Sequence, residues 1–293
     1  MRRLPARYFP LYLAAALLAL TSGCRCTPAG EAAREDYAQA RSGFKTTLLR
    51  KGPSPQEGEA VEALPGATRV TYRSGDLDLT AFVSEVPQDG KKHPAVLFLH
   101  GGFAFGQEDW EMSGPLREAG FVVMTPLLRG ENGQPGTFSF FYDEVDDVLA
   151  AADALARVPG VDASRIYVSG HSVGGTLALL AAQSSRAFKA ATSLSGSPDQ
   201  EGFIEGREDI VPFAMADPRE IKMRSPGAFA SSFKCPTRLF FGSEESYFGE
   251  KSLKTALHAR KAGLDVDAHS IPGDHFSSVP EGLQKSIAFF RAN

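Results

Sequence analysis

A serine between two glycines is the first group in this sequence that could do covalent chemistry. The residues Gly170-His171-Ser172-Val173-Gly174 follow an apolar run at 166–169 and precede the helical pattern TLALLAA. A G-x-S-x-G sequence between a strand and a helix is typical of a nucleophile elbow, a strained turn that exposes the serine hydroxyl. The glycines fit because a side chain at either position would collide with the neighbouring strand or helix. We predict that Ser172 is a nucleophile, and a purely structural glycine turn is the alternative.

A serine nucleophile needs a base, and one of the six histidines is placed to supply it. His275 lies in a glycine-bearing loop just after the last predicted strand, where a side chain can lean over the carboxyl edge of a sheet. The other histidines lie in a polar turn, at a strand end, inside the elbow, within a helix and within a strand. We predict that His275 is the base, the alternative being a surface loop histidine.

A carboxylate should complete a catalytic triad with Ser172 and His275. It should lie between them in the chain, because proteins with a nucleophile elbow of this kind have the order nucleophile, acid, histidine. Glu244 and Glu245 come directly after the apolar run RLFF. The spacing from Gly242 favours Glu245, with Glu244 and then Asp199, which follows the preceding strand, as the alternatives. A solvated loop carboxylate is the alternative for each glutamate. The predicted role of Glu245 is to accept a hydrogen bond from His275 and to stabilise the imidazolium that forms.

Backbone amides near the serine are the candidates for an oxyanion hole. The amide of Val173 lies at the start of a predicted helix, where unpaired N–H groups and the helix dipole favour an anion. The second donor should come from HGGF at 100–103, after the apolar run AVLFL. We prefer the amide of Phe103, with Gly102 as the alternative.

Aromatic residues are frequent near these loops and favour an apolar acyl pocket. The candidate substrate-binding residues are Phe105, Phe141 and Arg129, of which Arg129 could bind a substrate carboxylate. Core packing is the alternative for each phenylalanine. An arginine that braces its own loop is the alternative for Arg129.

Alternating strands and helices must position these residues. Short apolar runs at 95–99, 121–125, 165–169, 190–194, 238–241 and 266–271 are separated by helical patterns at 107–119, 143–156, 173–185, 250–262 and 277–291. Such alternation predicts a parallel sheet covered on both faces. Two alternating runs around Gly75-Asp76 add an antiparallel hairpin. The predicted fold class is α/β, a mostly parallel, twisted sheet of about eight strands with helices on both faces.

The first 23 residues have the features of a signal peptide. Three arginines precede a ten-residue apolar run at 11–20, and small residues lead to Cys24. The run is shorter than the roughly 20 residues that a membrane-spanning helix needs. The stretch LTSGC resembles the lipobox of bacterial lipoproteins, in which the cysteine is lipidated. We expect export to the bacterial cell envelope and attachment to the membrane by a lipid at Cys24; ordinary cleavage with a free Cys24 is the alternative.

The rest of the chain divides into a linker and one domain. Residues 24–65 are rich in Ala, Gly, Glu and Pro, and we predict a tether with a possible helix at 31–49. Residues 66–293 form the predicted catalytic domain, in which 197–234 is longer than most loops and reads as a lid-like insertion. The 31 basic and 35 acidic residues form no block of like charge, so no nucleic-acid partner is expected.

Residues 69–291 resemble an α/β-hydrolase, and in particular the catalytic domains of the prolyl oligopeptidase family and dienelactone-hydrolase-like esterases. The motifs that carry the resemblance are HGGF (100–103), LRG (128–130), GHSVGG (170–175), RSP (224–226), CPTRLFFGSEE (235–245) and PGDHF (272–276). The resemblance implies a triad of Ser172, Glu245 and His275, with no metal or organic cofactor. Peptidases of that family usually have aromatic residues where Val173 and Thr176 stand, an aspartate as the acid, and a β-propeller for which this chain is too short.

These observations predict a serine hydrolase that acts on acyl bonds through an acyl-enzyme intermediate. A carboxylic ester is the preferred small-molecule substrate, because the departures from the family weaken the peptidase interpretation. Cleavage of short peptides in the manner of prolyl oligopeptidases is the first alternative. A lipid-anchored binding protein without catalytic activity is the second, since the fold alone does not fix the function.

Overall fold

The centre of the fold is a single twisted β-sheet, and the loops that carry the candidate site residues follow its strands. The structure is a computed structural model that describes residues 35–293, within which eight strands form one sheet in the order β1-β2-β4-β3-β5-β6-β7-β8. The strands are β1 (Ala67–Ser74), β2 (Leu77–Ser84), β3 (His93–Leu99), β4 (Val122–Pro126), β5 (Val161–His171), β6 (Ala191–Leu194), β7 (Thr237–Gly242) and β8 (Val266–Ile271). Strand β2 is antiparallel to both β1 and β4, and the remaining pairs are parallel. The predicted α/β fold class is confirmed.

Helices cover both faces of this sheet. They are α1 (Tyr37–Ser42), α2 (Gln107–Met112), α3 (Gly114–Glu118), α4 (Glu144–Ala156), α5 (Val173–Ser184), α6 (Gln200–Ile204), α7 (Pro218–Met223), α8 (Ser246–Lys261) and α9 (Val279–Ala292). Helices α4, α5 and α8 contribute to one buried apolar cluster, and α2, α3 and α9 contribute to the other. The apolar stripe of α4 shows why, because Val145, Val148 and Leu155 are all fully buried on one side of it.

The predicted helix at 107–119 is two helices that meet at Ser113. Pro115 lies in the first turn of α3, where its missing N–H costs no helical hydrogen bond. The same proline would interrupt a continuous helix, since its ring clashes with the preceding turn. The break allows Trp110 of α2 and Leu116 of α3 both to be buried.

The N-terminal segment at 35–65 packs against the domain, which differs from the predicted tether. Tyr37 is fully buried, and its hydroxyl donates to the carbonyl of Met223 at 3.0 Å. Asp36 pairs with Lys234 at 2.5 Å. Only α1 of the predicted helix at 31–49 forms among the described residues, and Cys24 and the predicted signal peptide lie outside them. No helix within 35–293 is long and apolar enough to cross a bilayer.

The predicted lid-like insertion at 197–234 contains α6, α7 and two short 3₁₀ segments, Glu208–Ile210 and Pro226–Ser232. A fully buried arginine fixes it, because Arg224 pairs with Glu220 at 2.6 Å and donates to the carbonyl of Ser139 at 2.8 Å. Arg224 also donates to Thr46 of the N-terminal segment. The insertion is thereby tied both to the loop before α4 and to the chain that precedes β1.

Candidate active site

The predicted nucleophile lies on a crowded turn between β5 and α5. Ser172 has φ 55° and ψ −115°, a conformation that side-chain-bearing residues rarely adopt. A Cβ on Gly170 would lie 2.3 Å from the carbonyl oxygen of Gly174, and one on Gly174 would lie 2.1 Å from that of Leu99. The turn therefore has room only for glycine on both sides of the serine, as the sequence pattern predicts.

His275 and Glu245 meet at the carboxyl edge of the sheet. His275 follows β8 and Glu245 follows β7, and the Nδ1 of His275 donates to Oε1 of Glu245 at 2.5 Å. The other carboxylate oxygen, Oε2, accepts from the backbone N–H of Gly242 at 2.7 Å and from the hydroxyl of Ser195 at 2.5 Å. Glu244 is exposed, and its contact is a backbone hydrogen bond to Gly273. The structure thus brings Glu245 and not Glu244 to His275.

Three hydrogen bonds keep Glu245 ionised. Burial opposes ionisation of this carboxyl group, but the hydrogen bonds from His275, Ser195 and Gly242 outweigh it, and the pKa of Glu245 lies below its usual value. A carboxylate in this state can hold the imidazole by Nδ1 and leave Nε2 free for a serine. Within residues 35–293, the hydroxyl of Ser172 and His275 form no hydrogen bond in this structure, and such bonds often tighten only when substrate is bound.

His171, inside the elbow, supports the His275 loop. Its Nε2 donates to the carbonyl oxygen of His275 at 2.9 Å, and the two rings lie 4.7 Å apart. Burial lowers the pKa of His171 to about 4, although the carbonyl contact works in the opposite direction. His171 is therefore neutral at physiological pH, with its proton on Nε2.

The two predicted oxyanion donors from the HGGF loop differ in their contacts. Gly102 has φ +64°, and its amide forms no hydrogen bond within residues 35–293. The amide of Phe103 donates to Oε1 of Gln56 at 2.9 Å. The Val173 amide, at the first position of α5, has no acceptor inside its own helix. A Cβ on Gly101 would lie 3.7 Å from that of Ser172, so the loop passes directly beside the serine.

A buried ion pair fixes the start of this loop. The Nε2 of His100 lies 2.9 Å from Oε2 of Glu131, and both side chains are almost fully buried. Burial alone would lower the pKa of His100, but the Glu131 carboxylate outweighs it and raises that pKa above its usual value. Asp109 accepts the amide of Gly101 at 3.2 Å. His100 is therefore engaged in holding the loop.

The three predicted substrate-binding residues have different environments. Phe105 is buried in the core, where its ring stacks on Phe82 at 5.6 Å, so it offers no surface to a substrate. Arg129 makes a two-point contact with Asp147, at 2.9 and 2.7 Å, and braces its own loop. Phe141 is buried at φ 68° and lies 5.8 Å from the half-buried ring of Phe103.

Sequence reasoning missed several residues at the site. Ser195 and Gln56 make the contacts described above. Phe276, 68% exposed, has its ring 5.2 Å from His275, and the ring of Phe248 lies 5.5 Å from the same imidazole. The position of Ser195 directly after β6 was a usable signal, because residues after parallel strands share one edge of the sheet. Gln56 gave no such signal.

Comparison with known proteins agrees with this architecture. A family model described as "Alpha/beta hydrolase family" matches residues 96–282, more than half of the chain. The "Uncharacterized peptidase YtmA" of Bacillus subtilis (strain 168) is 25% identical over 224 residues, which are 70% of this chain and 84% of that protein.

Solved structures share the fold at low identity. An acylaminoacyl peptidase of Pyrococcus horikoshii has a TM-score of 0.62 and 21% identity over 77% of this chain and 40% of its own. A Klebsiella pneumoniae structure described as a dienelactone hydrolase has a TM-score of 0.58 and 17% identity over 78% of this chain and 98% of its own. This chain thus spans about 40% of the length of the acylaminoacyl peptidase. With the elbow at Ser172 and a family match that runs from β3 to β8, the chain belongs to the alpha/beta hydrolase family.

Proposed function

We propose that this protein is a serine hydrolase that cleaves an acyl bond with Ser172 as nucleophile, His275 as base and Glu245 as the acid of the triad. The observation that carries the proposal is the hydrogen bond from His275 to Glu245, with the ring of His275 4.7 Å from that of His171, the residue before a serine held at φ 55° on a strand-to-helix turn. A purely structural glycine turn would not require an imidazole and an ionised carboxylate at the ends of β7 and β8.

The proposed reaction has two halves. His275 Nε2 takes the proton of Ser172 as Oγ bonds to the substrate carbonyl carbon, while Glu245 stabilises the imidazolium through Nδ1–H. The imidazolium then gives that proton to the leaving group, and the acyl group stays on Ser172. Water, deprotonated by the same imidazole, attacks the acyl carbon; the bond to Oγ breaks, the imidazolium returns the proton to Oγ, and the carboxylic acid leaves. The amides of Val173 and Gly102 stabilise the oxyanion in both halves, because the amide of Phe103 already donates to Gln56.

We propose a carboxylic ester as the substrate. The exposed ring of Phe276 and the half-buried ring of Phe103 give the site apolar surface, and Val173 stands where related peptidases usually have an aromatic residue. A short peptide is the second candidate, supported by the peptidase descriptions of the B. subtilis relative and of the P. horikoshii structure. A panel of p-nitrophenyl esters of rising chain length and aminoacyl-coumarin amides decides between them. Activity on the amides alone would favour the peptidase.

The nucleophile is tested with a fluorophosphonate probe, which bonds covalently to activated serines. We expect the wild type to be labelled and Ser172→Ala to remain unlabelled. Ser164→Ala is the matched control, because Ser164 is exposed near the start of β5 and its hydroxyl donates to Asp162. Equal labelling of the wild type and Ser172→Ala would contradict the assignment and favour a binding protein without catalytic activity.

The acid is tested by a pair of neighbouring substitutions. Glu245→Gln should lower kcat far more than Glu244→Gln, because only Glu245 contacts His275. Folding of both variants is compared by circular dichroism. The reverse ranking would move the assignment to Glu244.

We also propose that the protein is exported and anchored to a membrane of the cell envelope through a lipid on Cys24. The proposal rests on the arginines, the apolar run and the small residues that precede Cys24. Growth of the producing bacterium with an alkyne fatty acid should label the wild type and not Cys24→Ser. Labelling of both would remove the assignment.

A further inference from the structure

We propose that Gln56 is a substrate-binding residue, whose side-chain Nε2 donates a hydrogen bond to a carbonyl oxygen of the acyl group bound at the HGGF loop. The inference rests on the proposed serine hydrolase function. It adds to that site a residue from the N-terminal segment, 40 positions before the first residue that the family model matches.

The orientation of the carboxamide follows from its one hydrogen bond. The backbone N–H of Phe103 can only donate, so the group it meets at 2.9 Å must be the oxygen of Gln56. Both N–H bonds of Nε2 therefore remain available. Within residues 35–293 they meet no acceptor, since the contact with Phe103 is the one side-chain hydrogen bond of Gln56.

The carboxamide lies above the glycines that pass beside the proposed nucleophile. A Cβ on Gly102 would be 2.7 Å from Oε1 of Gln56 and 3.4 Å from Nε2. A Cβ on the preceding Gly101 would be 3.7 Å from that of Ser172. Gln56 and Ser172 thus lie against two consecutive residues of the same loop, and the proposal places the acyl group along this loop.

The chain around Gln56 is fastened on both sides, so its position is defined before substrate arrives. Ser54, two residues earlier, donates its hydroxyl to the carbonyl of Phe103 and its amide to the carbonyl of Gly130. Asn132 donates to the carbonyl of Glu59, three residues later, at 2.7 Å. A functional group held in this way loses little conformational freedom when it binds.

In this arrangement the side chain of Gln56 relays the hydrogen-bond donor of the Phe103 backbone toward the substrate. The Phe103 amide donates its hydrogen bond to Oε1 of Gln56 and so is not free to contact substrate, and Gln56 offers Nε2–H in its place. Hydrogen bonds in series polarise one another, so acceptance at Oε1 strengthens donation at Nε2. A carbonyl oxygen that gains negative charge during the reaction is the group that such a donor favours.

Three variants of the protein test the role of Gln56. The quantity measured is kcat/KM for a p-nitrophenyl ester. Gln56→Ala should lower it about tenfold, less than the hundredfold or more for loss of an oxyanion donor. Gln56→Glu should lower it further, because a carboxylate still accepts from Phe103 but presents a negative oxygen to the substrate. Gln88→Ala, at an exposed glutamine that donates to the carbonyl of Val86, should match the wild type.

Each outcome has a separate meaning. Wild-type activity in Gln56→Glu would overturn the proposal, because it would show that accepting from Phe103 is the whole role of the side chain. A gain of activity in Gln56→Ala would also overturn it, since Gln56 would then obstruct the site. If the wild type neither hydrolyses esters or amides nor binds the fluorophosphonate probe, the proposed function fails and this inference with it.

Discussion

Ser195 connects Glu245, the proposed acid, to the neighbouring strand. Its amide donates to the carbonyl of Phe240 at 2.7 Å, and its hydroxyl donates to Oε2 of Glu245. The residue has φ 51°, so the backbone turns sharply to deliver the hydroxyl. Ser195 acts on the reaction only through Glu245, and we regard it as a positioning residue.

We predict that Ser195→Ala lowers kcat about tenfold and leaves KM unchanged, because a hydrogen bond to a charged group contributes about 1.5–3 kcal/mol. Loss of the bond also raises the pKa of Glu245, so the acidic limb of the pH–rate profile should move to higher pH. Steady-state kinetics between about pH 3 and 9 measure both effects. Ser164→Ala, which removes a hydroxyl from Asp162 instead, should change neither. An unshifted profile in Ser195→Ala would contradict the role.

His171 makes the folded state sensitive to acid. Its pKa is about 4 in the folded protein and about 6.5 in an unfolded chain, so only the unfolded state binds a proton between these values. Stability is therefore complete above about pH 6.5 and falls as the pH drops toward 4. A difference of this size corresponds to at most about 3 kcal/mol.

We predict that the free energy of unfolding in urea falls between pH 6.5 and 4.5, and that His171→Gln makes this fall smaller. His258→Gln is the matched control, because His258 is exposed on α8 and should leave the pH dependence as it is in the wild type. An identical pH dependence in the wild type and His171→Gln would assign the acid sensitivity to other groups.

The sequence carried enough information for some site residues and too little for others. Ser172, Glu245 and His275 each follow a recognisable apolar strand, so their shared edge could be inferred from the chain order alone. Ser195 follows a strand as well, but its role depends on a contact with a residue 50 positions away. Gln56 lies 47 positions from Phe103 in a stretch whose composition resembles a linker, and no local pattern announces a contact of that kind.

At the level of elements, the elbow between β5 and α5 depends on close backbone approach. A side chain on Gly174 would overlap the carbonyl of Leu99 at the end of β3. A side chain on Gly170 would overlap the carbonyl of Gly174. In both cases the obstacle is backbone, which cannot move aside as a flexible side chain could. The glycines therefore set the distance between the central strands and α5.

We predict that Gly174→Ala destabilises the protein by about 3 kcal/mol or more and abolishes labelling of Ser172, because the added methyl group overpacks a backbone contact. Gly114→Ala is the matched control. It lies in α3, where the nearest atom to an added Cβ is a side-chain nitrogen of Arg117 at 3.6 Å. Thermal unfolding of both variants measures the difference, and equal melting temperatures would contradict the packing argument.

Element boundaries differ from the sequence prediction where distant contacts determine them. Strand β5 begins at Val161, four residues before the predicted strand, because its N-terminal part pairs with His93 beyond an irregularity in β3. Helix α8 begins at Ser246, four residues earlier than predicted, directly after the acid of the site. The buried side of its first half is formed by Gly249, Ser252 and Thr255 and not by large apolar residues, so periodicity alone could not reveal where the helix begins.

For the whole molecule, the N-terminal segment is part of the folded domain. Besides Tyr37, its contacts include Thr46 and Thr47, both of which donate to the carboxylate of Glu220. Glu220 in turn pairs with the buried Arg224. The segment and the insertion therefore stabilise each other, and composition alone could not predict this because the segment reads as polar and rich in Pro and Gly.

We predict that a chain beginning at residue 66 melts about 10 °C lower than one beginning at residue 35, because loss of a buried aromatic side chain alone costs about 3–5 kcal/mol. Both chains lack the first 34 residues, so the comparison isolates the segment at 35–65. Differential scanning calorimetry measures the difference. Equal melting temperatures would show that residues 35–65 do not stabilise the domain and act as a linker.

The fastening of residues 54–59 over the HGGF loop has a consequence for how this protein can evolve. The part that corresponds to the family model, 96–282, holds the proposed triad, yet it excludes Gln56. Gene recombination that exchanged only this part would transfer the chemistry and leave the upstream contact with the recipient. The proposed triad and the proposed contact of Gln56 are thus encoded in separable stretches of the gene, and the upstream stretch can diverge by mutation while the proposed triad is inherited intact.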